Sequence, residues 1–383
     1  MNPMHLERRS FLSLLAATPT VFAQKASGQK LVYFGTYTRK SSKGIYVAKL
    51  DTATGKVTEP ELAGEVGNPS FVTIHPNQKY LYAVSEMGGG GGQGGAVTAF
   101  AIERPSGKLT RLNQVPAKGT SPCHLNVDKT GRALVVANYG SGSVVAMPVK
   151  PDGSLGEVAG FIQHKGSSVD KRRQAGPHAH SVNYSQNNKF VVAADLGLDQ
   201  VLVYKIDPAT AMLTPNDPPF VQVKAGGGPR HFTFHPNGKY AYVINEMGQA
   251  VTAFTWNANK GSFAEIQHIS TLPDGVTVSN NTTAEVVAHP SGKFLYGSNR
   301  GHNSIVVYSI GKDGKLTRVE NTPTQGEIPR GFTIDPSGKW LFAANQNTDN
   351  VVIFSIDPSS GKLTPTGQQL KVDAPVCVRF ANL

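Results

Sequence analysis

Chargeable side chains occur at two positions that return at intervals along this sequence. Together they are of the types needed to promote attack on a carbonyl group. The first position opens a short apolar run, and the second comes 16 residues later. A histidine or carboxylate can take a proton from water, and a guanidinium can hold an anionic substrate group or stabilise a developing oxyanion. The chargeable residues at the two positions are Glu86, His180, Arg230, Glu246, Arg300 and Arg330.

These positions recur because the chain is built from repeats. A turn phrase appears as His75-Pro-Asn-Gln-Lys-Tyr-Leu-Tyr and returns with small changes at His235, His289 and Asp335. Apolar runs flank each turn, which is the pattern of a β-hairpin. Two further strands follow each hairpin, so that one repeat has four strands and spans 46–57 residues. Four short strands at this period predict the blades of a β-propeller.

The two ends of the chain predict a seventh blade. Residues 31–37, 44–50 and 57–62 match the second, third and fourth strands of a repeat, but no first strand precedes them. Residues 374–380 match a first strand with nothing after it. We therefore predict an all-β, seven-bladed β-propeller with four antiparallel strands per blade, closed by the C-terminal strand joining the N-terminal blade. Such closure leaves no exposed sheet edge.

This architecture predicts one polar mouth at the end of the central channel. The start of a blade's first strand and the end of its second lie at the same end of the blade, so both recurring positions face that mouth. We expect His180, Glu246, Arg230 and Arg300 to be catalytic. The expected substrate-binding residues are His178, Arg330, Glu86, Asn245, Asn299 and Gln346. Two alternatives remain, in which paired charges only line a hydrated channel and the asparagines only satisfy turn backbone.

Long connections lead into the predicted mouth. They are residues 163–177 and 272–283, and the glycine run 88–95 is a candidate flap. Insertions on one face of a repeat protein typically mark the binding face. His178 and His180 alternate on a strand and so share a face, but the spacing demands no third ligand. We expect no metal and no cofactor.

The N-terminal 23 residues have the pattern of an export signal. Arg8-Arg9 precede Phe-Leu and an apolar stretch that ends at Ala23, which is typical of a twin-arginine leader. An ordinary secretory leader is the alternative. We expect residues 24–383 to form a single domain, periplasmic or secreted, without stable membrane insertion once the leader is removed.

The mature chain is expected to act on a small molecule as a monomer. The full sequence has a net charge of +11, and its lysines are scattered, with no cluster of stacking aromatics beside them. This distribution argues against a nucleic-acid partner. Cys123 and Cys377 are expected to be buried free thiols.

Several motifs resemble the lactonase family of seven-bladed propellers, which includes bacterial 6-phosphogluconolactonase and fungal carboxy-cis,cis-muconate cyclase. The motifs lie in the family's order over roughly residues 30–383, and they are Pro177-His178-Ala179-His180, Pro229-Arg230-His231, Asn245-Glu246, Asn299-Arg300-Gly301 and Pro329-Arg330-Gly331. The resemblance implies a site made of a His, an Arg, a Glu and a second Arg. The matching residues here are His180, Arg230, Glu246 and Arg300.

The leading hypothesis is an exported lactonase that hydrolyses a sugar-derived or acidic lactone, with His180 as base and Glu246 as its partner. The export leader departs from family members that act on sugar-phosphate lactones of central metabolism, which are cytosolic. One alternative is a muconate-type lactonizing cycloisomerase that uses the same residues. Another is a non-catalytic binding propeller of the cell envelope.

Overall fold

Seven separate four-stranded antiparallel sheets make up the protein. The computed structural model describes Met1, residues 28–88 and residues 94–383. The predicted leader therefore lies outside the described residues except for Met1, as does most of the candidate flap. In the described part of the chain there is no helix with the length and apolarity needed to cross a membrane.

The first four blades are given from the channel outward. Blade 1 has β28 (Pro375–Asn382), β1 (Gln29–Thr36), β2 (Gly44–Asp51) and β3 (Glu61–Glu65). Blade 2 has β4 (Val72–Ile74), β5 (Tyr80–Ser85), β6 (Ala96–Ile102) and β7 (Leu109–Pro116). Blade 3 has β8 (Pro122–Val127), β9 (Ala133–Asn138), β10 (Ser143–Pro148) and β11 (Gly160–Gln163). Blade 4 has β12 (Ala179–Tyr184), β13 (Phe190–Asp195), β14 (Gln200–Asp207) and β15 (Met212–Gln222).

The last three blades follow the same order. Blade 5 has β16 (Pro229–Phe234), β17 (Tyr240–Asn245), β18 (Ala250–Asn257) and β19 (Ser262–Ser270). Blade 6 has β20 (Thr282–Ala288), β21 (Phe294–Arg300), β22 (Ser304–Ile310) and β23 (Leu316–Pro323). Blade 7 has β24 (Pro329–Ile334), β25 (Trp340–Asn345), β26 (Asn350–Ile356) and β27 (Leu363–Lys371).

The predicted architecture is confirmed, including its closure. The C-terminal strand β28 pairs antiparallel with β1 from Lys30↔Asn382 to Thr36↔Pro375. One boundary was wrong: the outer strand of blade 1 is β3 at Glu61–Glu65 and not residues 57–62, because Val57 forms only an isolated bridge with Leu50.

The repeated turn joins each blade to the next. The ring nitrogen Nε2 of His75 lies 2.9 Å from the carbonyl oxygen of Gly131 in the turn of blade 3, and His235 and His289 bond Gly292 and Gly338 in the same way. The apolar core lies between neighbouring blades, as where Phe34 of blade 1 packs with Phe342 of blade 7. Cys123 and Cys377 are free and buried, as expected.

A one-residue bulge interrupts the inner strand of six blades near its start. In β12, Ala179 pairs with Asp195 and Ser181 pairs with Ala194, so His180 has no partner residue. The same shift leaves Arg230 of β16 and Arg330 of β24 without a partner residue on the neighbouring strand. Bulges also occur at the start of β8, β20 and β28. Because a bulge re-aims the extra side chain, the first recurring position of the sequence turns into the channel.

Removing the last ten residues, 374–383, is expected to prevent soluble folding. The deletion removes β28 together with the buried side chains of Val376, Cys377, Val378 and Ala381, and it exposes the inner edge of β1. Soluble yield and circular dichroism check this expectation. Removal of Leu383 alone, which lies beyond β28, is the control and is expected to leave the fold intact. A cooperative melting transition in the longer truncation contradicts the closure.

Candidate active site

A polar cavity of about 250 Å³ opens at the mouth of the channel. Most of its lining residues come from the two recurring positions, and they belong to six of the seven blades or to the loop before β12. The lining residues are Glu86, Cys123, Tyr139, Arg173, His180, Glu246, Arg300 and Arg330. The structure thus brings five of the ten predicted site residues together around one space, and Arg230 lies directly beneath it.

The carboxylate of Glu246 is the centre of this cluster. Its Oε2 atom lies 3.0 Å from Arg230 Nε and 2.8 Å from Arg300 Nη2, and its Oε1 atom lies 2.7 Å from Arg173 Nη2. Burial alone would raise the pKa of Glu246, but the nearby guanidiniums hold it well below its usual range. Glu246 is therefore an anion at every pH at which the protein is expected to work.

The two inner arginines are fixed by backbone as well as by Glu246. Arg230 Nη1 donates to the carbonyl oxygen of Ala284 at 2.8 Å, and Arg300 Nη2 donates to that of Thr283 at 2.7 Å. Burial and the neighbouring Arg300 lower the pKa of Arg230 to about 10. Arg230 thus stays protonated at neutral pH, although it is 2% exposed.

Arg330 stands apart from the Glu246 cluster. Its guanidinium carbon lies 5.4 Å from the centre of the Tyr37 ring, in a cation–π arrangement. The Tyr37 hydroxyl in turn donates to Glu86 Oε2 at 3.0 Å. Within the described residues, no hydrogen-bond acceptor and no carboxylate at ion-pair distance contacts the Arg330 guanidinium. This cation is therefore available to a ligand in the cavity.

His180 lies beside these charges as a neutral ring. Burial, then Arg230, lowers the pKa of His180 well below its usual value. Its Nδ1 atom is 3.6 Å from the Cys123 sulfur, and its Nε2 atom is 3.8 Å from Glu246 Oε2, too far for a hydrogen bond. The Tyr139 ring packs edge-on against it. A neutral imidazole at a polar cavity can accept a proton.

A second layer of side chains from the inner strands forms the floor of the cavity. The His124 ring contacts Phe71 and His231, with centroids 4.0 and 5.2 Å away, and His231 Nδ1 lies 2.8 Å from Glu285 Oε1. Burial lowers the pKa of His124 and His231 and raises the pKa of Glu285. Burial thus disfavours the charged forms of these three groups, and the Arg379 guanidinium lies at the same level, 4.4 Å from the centre of the Phe71 ring.

Arg173 was missed as a site residue, although its loop was predicted to lead to the mouth. Besides Glu246, its Nη2 atom reaches the Tyr139 hydroxyl at 3.3 Å. The loop is anchored because Asp199 accepts from Ser168 Oγ and from Gln174 Nε2. Only the basic composition of residues 163–177 pointed to this arginine, since the loop has no repeat partner from which a position can be inferred.

The other four predicted residues do not line the cavity. His178 stacks on Tyr139 and its Nδ1 contacts the Tyr139 carbonyl oxygen at 2.9 Å. The amides of Asn245 and Asn299 are buried. Asn245 donates to Thr252 Oγ1 of its own blade, and Asn299 donates to the carbonyl oxygen of Thr271, just after the outer strand of blade 5. Gln346 bonds the neighbouring Asn347. Their contacts fit the alternative of side chains that satisfy turns.

No group of three His, Cys, Asp or Glu side chains within residues 28–88 and 94–383 is placed to hold a metal ion. His178 and His180 both contact the Tyr139 ring, one in a stacked and the other in an edge-on arrangement. The groups that face the cavity include a neutral imidazole and several fixed guanidiniums.

Comparison with known proteins gives this arrangement a family. Residues 31–380 match the model of the lactonase family, a seven-bladed β-propeller. The chain belongs to the lactonase family. Its 6-phosphogluconolactonase relative from Bacillus subtilis is 39% identical over 351 residues, which cover 91% of this chain and 98% of the relative. A second relative with that name, from Formosa agariphila, is 38% identical over 89% of this chain and 97% of its own.

A solved structure agrees with the family assignment. The periplasmic gluconolactonase of Pseudomonas aeruginosa superimposes with a TM-score of 0.87 at 35% identity, over 92% of this chain and 99% of its own. The predicted resemblance to lactonases, and with it the prediction of an enzyme of the lactone-hydrolysing class, is confirmed.

The stability of this lactonase is expected to fall as the pH drops from 7 to 5.5. His124, His180 and His231 stay neutral in the fold, whereas they bind protons below about pH 6.5 in the unfolded chain. Because protons then favour the unfolded chain, the free energy of unfolding is highest above that pH and falls below it. Glu285 opposes this trend, because its pKa is raised in the fold and the folded protein therefore binds a proton there more tightly than the unfolded chain does. Urea unfolding should show a free energy of unfolding that falls steadily over this range, and a flat profile contradicts the assignment.

Replacing Glu246 by Gln is expected to destabilise the fold by about 3–5 kcal/mol, because three guanidiniums lose the charge that balances them in a buried site. Urea unfolding at pH 7.5 measures the loss. Glu86→Gln is the matched control, since the amide oxygen can still accept from Tyr37, and its expected change is below about 1 kcal/mol. Equal losses in the two variants contradict the central role of Glu246.

Proposed function

We propose that this chain is an exported lactonase that hydrolyses a sugar-derived or acidic lactone in the mouth cavity. The observation that carries the proposal is the Arg330 guanidinium, which has no hydrogen-bond or ion-pair partner among the described residues and faces the same cavity as the neutral His180. One group can hold or polarise the substrate while the other takes a proton. Export rests on the leader at residues 1–23, with residues 24–383 as the mature domain.

In the proposed reaction, His180 accepts a proton from a water molecule as the water oxygen bonds to the lactone carbonyl carbon. A guanidinium of Arg330 or Arg300 stabilises the negative charge that develops on the carbonyl oxygen. The bond from this carbon to the ring oxygen then breaks, and the ring oxygen takes the proton back from the His180 imidazolium. The product is the open hydroxy acid.

Glu246 has a supporting part in this proposal. Both its oxygens already accept from arginines, and its pKa is held well below the usual range, so it is unsuited to removing a proton. Its negative charge, 3.8 Å from His180, instead stabilises the imidazolium that forms during the reaction. Arg230 and Arg173 keep that charge in position.

The charges of the mouth favour a substrate with both an anionic and a hydroxylated part. Four guanidiniums and two carboxylates surround the cavity, and they are Arg173, Arg230, Arg300 and Arg330 with Glu86 and Glu246. The arginines belong mainly to blades 5–7, whereas Tyr37, Glu86 and Tyr139 offer hydroxyl and carboxylate groups on blades 1–3. The relatives named for gluconolactone substrates support a sugar lactone.

A pH-stat panel of sugar lactones and acidic lactones tests the proposal directly. Release of acid in proportion to enzyme is the expected result. Muconate-type diacids are included, and loss of their conjugated absorbance without any lactone cleavage favours the cycloisomerase alternative. Binding of lactones without turnover favours the non-catalytic propeller. Export is tested by fractionation and N-terminal sequencing, for which the expected new terminus is Gln24.

Replacing Arg330 by Gln is expected to lower kcat/KM for an anionic lactone roughly tenfold to a hundredfold, which is the cost of a lost charge-assisted hydrogen bond. The fold should be unchanged, because the described residues give Arg330 no hydrogen-bond partner to lose. If Arg330 mainly holds the substrate, KM rises; if it polarises the carbonyl, kcat falls.

The control for Arg330→Gln is Arg111→Gln, an exposed arginine of β7 on the outer rim that bonds only Gln114 within its own strand. It removes the same charge far from the mouth, and its kinetics should match those of the unchanged enzyme. Similar losses in both variants show that overall positive charge governs activity, and they contradict the site.

A further inference from the structure

A second, more open hollow of about 550 Å³ lies beside the mouth cavity, and we call it the outer hollow. It is lined by Val169, Asp170, Arg173, Gly226, Met247 and Thr282. Arg173 is the one residue in both linings, so its side chain borders both spaces. Since 41% of that side chain is exposed, it is the outermost contact of Glu246.

Glycines make room for the outer hollow. Residues 226–228 are all glycine and lead directly into Pro229 and Arg230. Gly226 and Gly228 have φ angles of 75° and 64°, which side chains rarely adopt, and their N–H groups donate to Asp199. A Cβ atom at Gly228 would lie 3.0 Å from the Met247 sulfur. No side chain therefore fills the space at these glycines, and the backbone after them leads directly to Arg230 of the mouth cluster.

The walls of the outer hollow combine apolar surface with unused hydrogen-bonding atoms. Val169 is 61% exposed, and Met247 is partly exposed near it. Asp170 Oδ1 accepts from the N–H groups of Arg172 and Arg173, while no described donor contacts its Oδ2 atom. The Thr282 hydroxyl likewise has no hydrogen-bond partner within the described residues. These backbone hydrogen bonds lower the pKa of Asp170, so it is an anion.

This combination fits a neutral, hydroxylated ring. An alkyl chain would cover Val169 and Met247 but leave the Asp170 and Thr282 oxygens without partners, which costs free energy. An anionic group would meet the Asp170 carboxylate, and the Arg173 charge is already matched by Glu246. A sugar ring presents C–H groups to apolar side chains and hydroxyls to acceptors at the same time.

We propose that the outer hollow is a subsite for a second sugar ring, so that the preferred substrate is the lactone of a disaccharide aldonic acid. The inference rests on the proposed lactonase function and names its substrate class. The lactone ring occupies the mouth cavity beside His180 and Arg330, and the glycosyl ring passes Arg173 and lies on Val169 and Met247. A reaction that oxidises the reducing end of a disaccharide must supply such a lactone.

The experiment compares two substrates with matched variants in a pH-stat: glucono-1,5-lactone and the lactone of maltobionic acid. The disaccharide lactone is expected to have the higher kcat/KM. Thr282→Val removes one hydroxyl and keeps the shape, so it should lower kcat/KM for the disaccharide lactone roughly threefold to tenfold and leave the monosaccharide unchanged. Thr277→Val is the control, an exposed threonine in the same 272–283 loop outside both linings.

Each other outcome has a distinct meaning. Equal turnover of both lactones, or an equal effect of Thr282→Val on both, overturns the sugar subsite but leaves the lactonase function standing. A preference for a lactone with an acyl chain overturns the chemistry assigned to the hollow. Hydrolysis of no lactone at all overturns the proposed function together with this inference.

Discussion

The bulge near the start of the inner strands is the constraint on which the site depends. In a regular strand, successive side chains point to opposite faces, so only every second residue could face the channel. The bulge allows two successive residues of one strand to do so, as in blade 5, where Arg230 reaches the mouth cluster and His231 the floor. Because neighbouring blades repeat the same shift, their extra side chains meet at one level. A polar site thus forms from one shift that six of the seven inner strands share.

Placing so many arginines at one level creates a repulsion that Glu246 balances. One buried carboxylate contacts Arg173, Arg230 and Arg300. The backbone carbonyl oxygens of Ala284 and Thr283 accept from Arg230 and Arg300 as well. Arg330 is left outside this arrangement, over an aromatic ring rather than a carboxylate. The site is therefore divided into cations that hold the geometry and one cation that a ligand can neutralise. Because of this division, the positive mouth can bind an anionic group at one defined place, Arg330, in addition to attracting anions in general.

Repetition explains how much the sequence could predict. The turn phrase revealed six blades and their alignment, and the two ends of the chain indicated the seventh. The alignment selected His180, Arg230, Glu246 and Arg300, because residues that break a repeat stand out against it. The same alignment also selected Asn245 and Asn299, which repeat from blade to blade and whose amides donate to Thr252 and Thr271 outside the cavity lining. It passed over Arg173, whose loop occurs once and whose position depends on contacts with Asp199 rather than on strand register. The outer hollow was out of reach for the same reason, since loops form it.

The pairing of β28 with β1 also determines where the chain ends. Lys30 and Asn382 are partners at the end of blade 1 that lies furthest from Thr36 and Pro375, which border the mouth. Both termini of the folded domain therefore emerge from the face opposite the cavity. An enzyme attached to a bead, an electrode or a fused carrier through either terminus would present its open cavity to the solution, with its substrate path unobstructed.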